Sequence, residues 1–427
     1  AGFDVRTLPG MGVIGSQLLE TQGAMAASMR PFLDFAGMDV LGASRALAFN
    51  EGISEAIKQA TFLAELTLES DARGGDDDEA STAQEAEEQL VKIVPADALE
   101  KLRRNGRYSK ALTEREFARA VSADLERISR DKHLGFFLDP EMNASLREGD
   151  SEEEADRKWV EEEKKRNYGF RQVTVLEGNI GYLDLRIFLH PETAAPKAVA
   201  TMAFLSNCDA FIIDLRNNGG GWGEMVAFLS SYFFSGKEQV HLSSVYSRPE
   251  NKLSQSWTAQ WVPGTRFPDQ PLYILTSKST FSAAEEFCYN LKQLKRAVLV
   301  GETTRGGAHP ISYKPVGDKF VLMIPEMTSI NPVSGGNWEG VGVSPDISVP
   351  AEKALSMAHL KALEKLESCA QDTAAKAWLR WHRENCESEY NPLSVPYSIL
   401  QKFTGKYGPL EVGFSVNGLY YSRGGRM

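Results

Sequence analysis

Short apolar runs alternate with segments of helical periodicity in the second half of the chain. Runs with the length and composition of buried strands occupy Ile180–Leu185, Ala210–Leu215, Leu272–Leu275 and Ala297–Val300. Apolar residues at helical spacing follow the first three runs, at residues 194–205, 224–234 and 282–294. Strands that alternate with helices in this way predict an α/β fold with mostly parallel strands.

The segments on either side of this core have different patterns. The preceding residues are mostly of helical periodicity, interrupted by an acidic stretch, and end in a highly charged segment. The final residues alternate as in β-hairpins and stop in mid-pattern, so we expect a truncated β segment there. The predicted order is a helical N-terminal domain (1–146) with an acidic insertion (69–88), a charged linker helix (147–170), the α/β core (171–367), a helical linker (368–402) and the small β segment (403–427).

Composition and charge exclude several classes of function. The chain has 427 residues, is 42% hydrophobic and carries a formal net charge of -11. It contains no run of about 18 apolar residues, so we expect no transmembrane span. It also contains no basic cluster, which argues against a nucleic-acid partner. The glycine-rich stretch Gly219–Gly221 lacks the P-loop pattern, and Glu224 stands where a dinucleotide motif needs glycine. We expect neither a cofactor nor a metal.

Ser282 lies where the apolar run 272–275 gives way to a helix. The sequence Ser282-Ala-Ala-Glu285 fits a capping box, in which the serine only stabilises the start of the helix. The same position gathers unpaired backbone N–H groups and the positive end of the helix dipole, which would stabilise an oxyanion beside a nucleophilic serine. The local sequence leaves both roles open, and the two are compatible.

Two further features bear on a nucleophilic Ser282. The loop Gly219–Gly221 forms either a simple turn or an approach of backbone N–H groups that would complete an oxyanion hole. A serine nucleophile also needs a base. Of the six histidines, His309 is near Ser282 in sequence, and His133 lies in a polar hinge between the helical domain and the core. Most lone histidines are structural, so these residues alone do not identify the base.

Four motifs together resemble those of the tail-specific, or C-terminal processing, serine peptidase family. They are IIDLRNNGGG (212–221), STFSAAEEF (279–287), VGETTRGGAHP (300–310) and GVGVSPDI (340–347). The branch that they resemble includes the interphotoreceptor retinoid-binding protein, the tricorn protease and the chlamydial protease-like activity factor. RISRDKHLGF (127–136) is similar to the end of the N-terminal domain in that branch. The resemblance implies a core of crotonase-like ββα units.

The resemblance also implies roles for single residues. Ser282 matches the nucleophile. The lysine of the family's Ser/Lys mechanism is replaced by Gly307, so that mechanism is excluded. Asp184 stands where the tricorn protease has its histidine, whereas Asp131-Lys-His133 matches the histidine context of the chlamydial enzyme. The implied site comprises the triad Ser282, His133 and Glu339, an oxyanion hole from the N–H groups of Ala283 and of Gly220 or Gly221, and Asp131 and His309 as supporting residues, with His309 the alternative base.

We therefore expect a peptidase or endopeptidase that acts on peptide or protein substrates. The charged segment before the core is too short and too polar for a PDZ module, which many family members carry. Bacterial members often work outside the cytoplasm, so a periplasmic or secreted location is expected, although this chain shows no signal peptide. The alternative is a catalytically silent protein of the same fold that binds retinoids or fatty acids, in which Ser282 only caps its helix. The oligomeric state is not predicted.

Overall fold

The computed structural model describes residues 98–108, 113–148, 163–392, 394–415 and 418–423. These residues divide into two compact units. Unit 1 contains the described residues up to 148 together with Ser243–Gln255 and Gly307–Gly340. Unit 2 contains Glu163–Leu242, Ser256–Gly306 and the described residues from Val341 onward. The acidic insertion, the rest of residues 1–97 and most of the charged linker lie outside the described residues.

Helices and strands are numbered here in chain order. The helices are α1 (Ala98–Arg104), α2 (Glu114–Ser129), α3 (Pro140–Glu148), α4 (Pro191–Phe204), α5 (Gly223–Ser230), α6 (Ala283–Gln293), α7 (Ala354–Cys369), α8 (Thr373–Tyr390) and α9 (Tyr397–Leu400). The strands are β1 (Gly135–Leu138), β2 (Phe170–Leu176), β3 (Ile180–Leu185), β4 (Ala210–Asp214), β5 (His241–Ser247), β6 (Lys252–Trp257), β7 (Leu272–Thr276), β8 (Val298–Gly301), β9 (Ile311–Val316), β10 (Phe320–Pro325), β11 (Met327–Ile330), β12 (Ile347–Ser348), β13 (Gly405–Tyr407), β14 (Leu410–Ser415) and β15 (Gly418–Arg423).

Unit 2 is built on a six-stranded sheet with the order β12-β8-β7-β4-β3-β2. Neighbouring strands are parallel except β2, which pairs antiparallel with β3. The strands β3, β4 and β7 are buried along their whole length, as expected when both faces of a parallel sheet are covered. The predicted α/β class with mostly parallel strands is confirmed. The crotonase-like arrangement stays a prediction.

Parallel pairing brings two of the motif loops to the same edge of this sheet. Asp214 at the end of β4 is in register with Leu275 of β7, so the two strands end side by side. The Thr280 hydroxyl, in the loop after β7, donates to the Leu215 carbonyl at 2.8 Å. The glycine loop after β4 and the serine turn after β7 are therefore fixed to one another.

Unit 1 combines helix α2 with the antiparallel sheet β1-β10-β9. A capping box begins α2, with reciprocal hydrogen bonds between Thr113 and Glu116. Phe136 and Phe320 stack at 4.9 Å, and Phe117 of α2 meets both rings edge-on. This aromatic core fixes the hinge between α2 and β1.

The C-terminal part of unit 2 contains helix α8 and the antiparallel sheet β13-β14-β15. Leu379 and Cys386 of α8 are buried in the same apolar cluster as Leu363 of α7. Among the described residues, no helix is both long and apolar enough to cross a membrane.

A buried polar contact at the end of β4 yields a prediction about stability. The Asp214 carboxylate accepts hydrogen bonds from the Tyr182 hydroxyl at 2.8 Å and from Arg216 at 2.9 and 2.6 Å. Asp214→Ala leaves both donors without this acceptor and should lower the free energy of unfolding by about 3–5 kcal/mol. Tyr182→Phe removes one neutral donor and should cost about 1 kcal/mol. Denaturant unfolding measures both, and equal losses would contradict this account.

Candidate active site

Ser282 occupies a sharp turn between β7 and α6. Its backbone dihedrals are φ 56° and ψ -126°, whereas an ordinary N-cap residue lies in the β region. Positive φ in a residue that has a Cβ is costly, and such strain concentrates at functional sites, as in the nucleophile elbow of α/β-hydrolases. A capping role alone does not require this conformation.

The side chain of Glu285 secures the turn. It is completely buried, and its Oε2 accepts the backbone N–H of Ser282 at 2.9 Å. Its other oxygen accepts the N–H of Gly306 at 2.6 Å and the hydroxyl of Thr304. Glu285 therefore joins the serine turn to the loop after β8. The sequence motif identified it only as half of a capping box.

The glycine loop approaches Ser282 very closely. Gly220 has φ 113°, and a Cβ placed there would lie 2.7 Å from the Cβ of Ser282, so only glycine fits. Asn218 holds this loop in place. Its side chain donates to the Leu185 carbonyl at 3.0 Å and accepts the Gly220 N–H at 2.9 Å, and its own carbonyl accepts the Phe281 N–H at 3.1 Å. Sequence reasoning missed Asn218, because nothing local distinguishes it from a loop residue.

The backbone N–H groups around Ser282 are not equally available. The Gly220 N–H is engaged by Asn218. Among the described residues, no acceptor pairs with the N–H of Ala283 or of Gly221. Gly221 has φ 129°, and a Cβ there would lie 2.1 Å from the Phe188 carbonyl oxygen. Of the predicted oxyanion donors, Ala283 and Gly221 thus retain a free backbone donor, while Gly220 supplies the close approach.

Unit 1 contains a second group of predicted site residues. Arg130 caps the C-terminus of helix α2 with a left-handed backbone conformation. The Asp131 Oδ1 then accepts the N–H of His133 at 2.8 Å in an Asx turn. Asp131 Oδ2 lies 2.6 Å from His309 Nδ1, which is 3.7 Å from Glu339 Oε2. Asp131, His133 and His309 are buried, and Glu339 is half-buried.

Backbone contacts place Glu339 and His309 together. The Ser329 N–H of β11 donates to the Ala308 carbonyl at 3.1 Å, which fixes the segment that carries His309. The indole N–H of Trp338 donates to the Gly307 carbonyl at 2.7 Å. The Ala308 N–H then donates to Glu339 Oε2 at 2.6 Å. Trp338 and Glu339 are therefore both hydrogen-bonded to the Gly307–His309 segment.

The surroundings of this group favour an ionised Asp131 carboxylate and a protonated His309 imidazole. Burial raises the pKa of Asp131, but hydrogen bonds from His309 and from the His133 N–H outweigh it, so the pKa lies below its usual value. Burial lowers the pKa of His309, but the Asp131 hydrogen bond and the charges of Glu339 and Asp131 outweigh it and raise the pKa. Imidazoles beside two carboxylates are suited to accept and return a proton.

The predicted residues thus fall into two sets, each assembled within its own unit. Unit 2 brings Ser282, Ala283, Gly220 and Gly221 together, and unit 1 brings Asp131, His133, His309 and Glu339 together. Asp184, which the sequence resemblance matched to a family histidine, pairs with Arg186 at 2.6 Å.

Residues 179–349 match the sequence profile of peptidase family S41. The match covers less than half of the chain and shows similarity to that family. The matched segment includes Ser282, both glycines of the predicted oxyanion hole, His309 and Glu339, whereas Asp131 and His133 precede it.

Individual relatives match over the same part of the chain. A "Probable CtpA-like serine protease" of Staphylococcus epidermidis is 26% identical over 182 residues, which is 42% of this chain and 36% of the relative. A carboxy-terminal-processing protease of Bartonella bacilliformis is 26% identical over 178 residues, 41% of this chain and 39% of the relative. The structure of a photosystem II D1 C-terminal processing protease is 24% identical, with a TM-score of 0.34, over 40% of this chain and 43% of that one. The matched region thus spans well under half the length of these proteins.

Loss of the Glu285 side chain should destabilise unit 2. Glu285→Ala deprives the N–H groups of Ser282 and Gly306 and the Thr304 hydroxyl of their shared acceptor. Since each buried donor left unpaired costs about 1–3 kcal/mol, we expect a loss of at least about 3 kcal/mol in unfolding free energy. Glu352→Ala removes an exposed carboxylate and should change stability by less than about 0.5 kcal/mol. Similar unfolding curves for the two variants would show that Glu285 does not secure the turn.

Proposed function

We propose that this chain is a serine peptidase in which Ser282 is the nucleophile, His133 the general base and Glu339 the residue that orients the base. The strained turn at Ser282, pressed against Gly220, is the observation that carries the proposal. A helix cap needs neither the positive φ nor a glycine at this distance.

Each residue has a defined part in the proposed reaction. His133 takes the proton from the Ser282 hydroxyl, whose oxygen attacks the peptide carbonyl. The backbone N–H groups of Ala283 and Gly221 stabilise the resulting oxyanion. His133 returns the proton to the departing amine. Water then attacks the acyl-enzyme, with His133 taking a proton from the water and giving it to the Ser282 oxygen as the product leaves. Glu339 holds the imidazole and offsets its positive charge.

The choice of His133 over His309 rests on two observations. RISRDKHLGF places His133 in the sequence context of a family histidine. Both histidines lie near Glu339, His133 with a ligand atom within 4.8 Å of a Glu339 oxygen and His309 with its Nδ1 3.7 Å from Oε2, but the His309 Nδ1 is held more closely by Asp131, at 2.6 Å. We assign His309 and Asp131 to a supporting pair that positions the Asp131–His133 turn.

The proposed substrates are peptides or proteins. One relative is named a carboxy-terminal-processing protease, and on that basis we propose cleavage near the C-terminus of the substrate. We further propose that the chain works without a PDZ module and outside the cytoplasm. No observation favours nucleic acid as a partner.

A labelling experiment tests the nucleophile. A fluorophosphonate probe should label the wild-type chain, and Ser282→Ala should abolish labelling and lower peptide hydrolysis by about 10³-fold or more. Ser279→Ala is the matched control, since Ser279 lies in the same motif three residues before Ser282, and it should still be labelled. A wild-type chain that is not labelled but alters the fluorescence of retinol or a fatty acid would favour the binding-protein alternative.

A second experiment tests the base. His133→Ala should lower kcat by about 10²–10⁴-fold, and adding Ser282→Ala should have little further effect because the two residues act as a unit. His309→Ala should lower kcat by less than about 10-fold if it only positions the turn. Added imidazole should partly restore His133→Ala alone. Loss in His309→Ala with retention in His133→Ala would assign the base to His309, and thermal unfolding of each variant checks the fold.

A further inference from the structure

Three side chains of unit 1 present ligand atoms at separations that suit one metal ion. A ligand atom from each of Asp131, His133 and Glu339 lies within 4.8 Å of the other two. Asp131 and His133 are buried, and Glu339 is half-buried, so these atoms are largely shielded from competing water. Metal–ligand bonds of about 2.0–2.2 Å would place ligands roughly 3.3 Å apart in a tetrahedral site. Side-chain rotations that move each atom by about an ångström close the cluster to that size.

Both carboxylates are already oriented by groups outside the cluster. Asp131 Oδ2 is 2.6 Å from His309 Nδ1, and Glu339 Oε2 accepts the Ala308 N–H at 2.6 Å. Each carboxylate oxygen retains a further lone pair after accepting one hydrogen bond. Hydrogen bonds of this kind, from the residues around a metal site, orient its ligands and strengthen binding.

We infer that Asp131, His133 and Glu339 form a binding site for one divalent transition-metal ion, of which Zn²⁺ fits best. One imidazole nitrogen and two carboxylate oxygens are ligand types that Zn²⁺ accepts, with a fourth position left for water. Mg²⁺ and Ca²⁺ bind almost wholly through oxygen, and the imidazole disfavours them. No Cys or His spacing in the sequence indicates this site, because its ligands come from two distant segments.

The consequence for activity rests on the proposed function. A neutral imidazole has one nitrogen lone pair. A metal ion bound to His133 through that lone pair leaves the other ring nitrogen protonated, so neither nitrogen can accept the Ser282 proton. Zn²⁺ at this site therefore inhibits the peptidase reversibly, and a chelator restores it. The binding itself requires neither Ser282 nor peptidase activity, so the two claims can fail separately.

Titration of the full chain tests the site. After treatment with a chelator and its removal, the wild-type chain should bind one equivalent of Zn²⁺ by calorimetry, and Co²⁺ should give visible absorption bands that Zn²⁺ abolishes. His133→Ala and Glu339→Gln should each weaken Zn²⁺ binding by at least about 10-fold. His309→Ala, which removes only an outer contact, should weaken it less than His133→Ala does. Ser282→Ala should bind as tightly as wild type, and so should His190→Asn, in which a histidine outside the cluster is replaced.

Three results would overturn the inference. They are a folded wild-type chain that binds no Zn²⁺ at micromolar concentration, unchanged affinity in both His133→Ala and Glu339→Gln, and equal weakening in the His190→Asn control. Glu339→Gln preserves the size of the side chain, and thermal unfolding verifies that each variant is folded. If Zn²⁺ binds in this pattern while the chain hydrolyses no peptide, the metal site stands and the proposed peptidase function fails.

Discussion

The Glu285 carboxylate is the interaction on which the serine turn depends. A positive φ at Ser282 costs on the order of 1–3 kcal/mol, and a strained residue persists only where its surroundings over-determine it. Glu285 supplies that constraint by accepting the N–H groups of Ser282 and Gly306 and the Thr304 hydroxyl within a fully buried space. Hydrogen bonds to a charged acceptor contribute about 1.5–3 kcal/mol each, which is enough to offset the strain.

Asn218 performs the corresponding task on the neighbouring strand. It links the Leu185 carbonyl of β3, the Gly220 N–H and the Phe281 N–H. The side chain of Asn218 holds the glycine loop and its backbone carbonyl holds Phe281, the residue before Ser282, so both are tied to one residue. By engaging the Gly220 N–H, Asn218 also leaves Gly221 and Ala283 as the donors beside Ser282. Two buried polar side chains therefore shape the end of the parallel sheet into a candidate site.

The fold of unit 2 was largely predictable, and that of unit 1 was not. Parallel strands covered on both faces appear in sequence as unbroken apolar runs, which is why β3, β4 and β7 were predicted almost to the residue. The strands β2 and β9 are half-buried or exposed at all but one position each and gave no such signal. Unit 1 pairs β1 with β10 across a long stretch of chain, and no local pattern encodes a pairing of that kind.

The same distinction applies to the site residues. Ser282 and the glycine loop could be found because each lies in a motif next to a strand end, whereas the contact of Asp131 with His309 joins residues 178 positions apart. The contact between Asp131 and His309 bears on which histidine acts as the general base. Asp131 uses one oxygen for the His133 N–H and the other for the His309 ring. His133 and His309 are therefore coupled through a single carboxylate, so a change at either histidine acts on the position of the other. Their separate effects on catalysis are not expected to add.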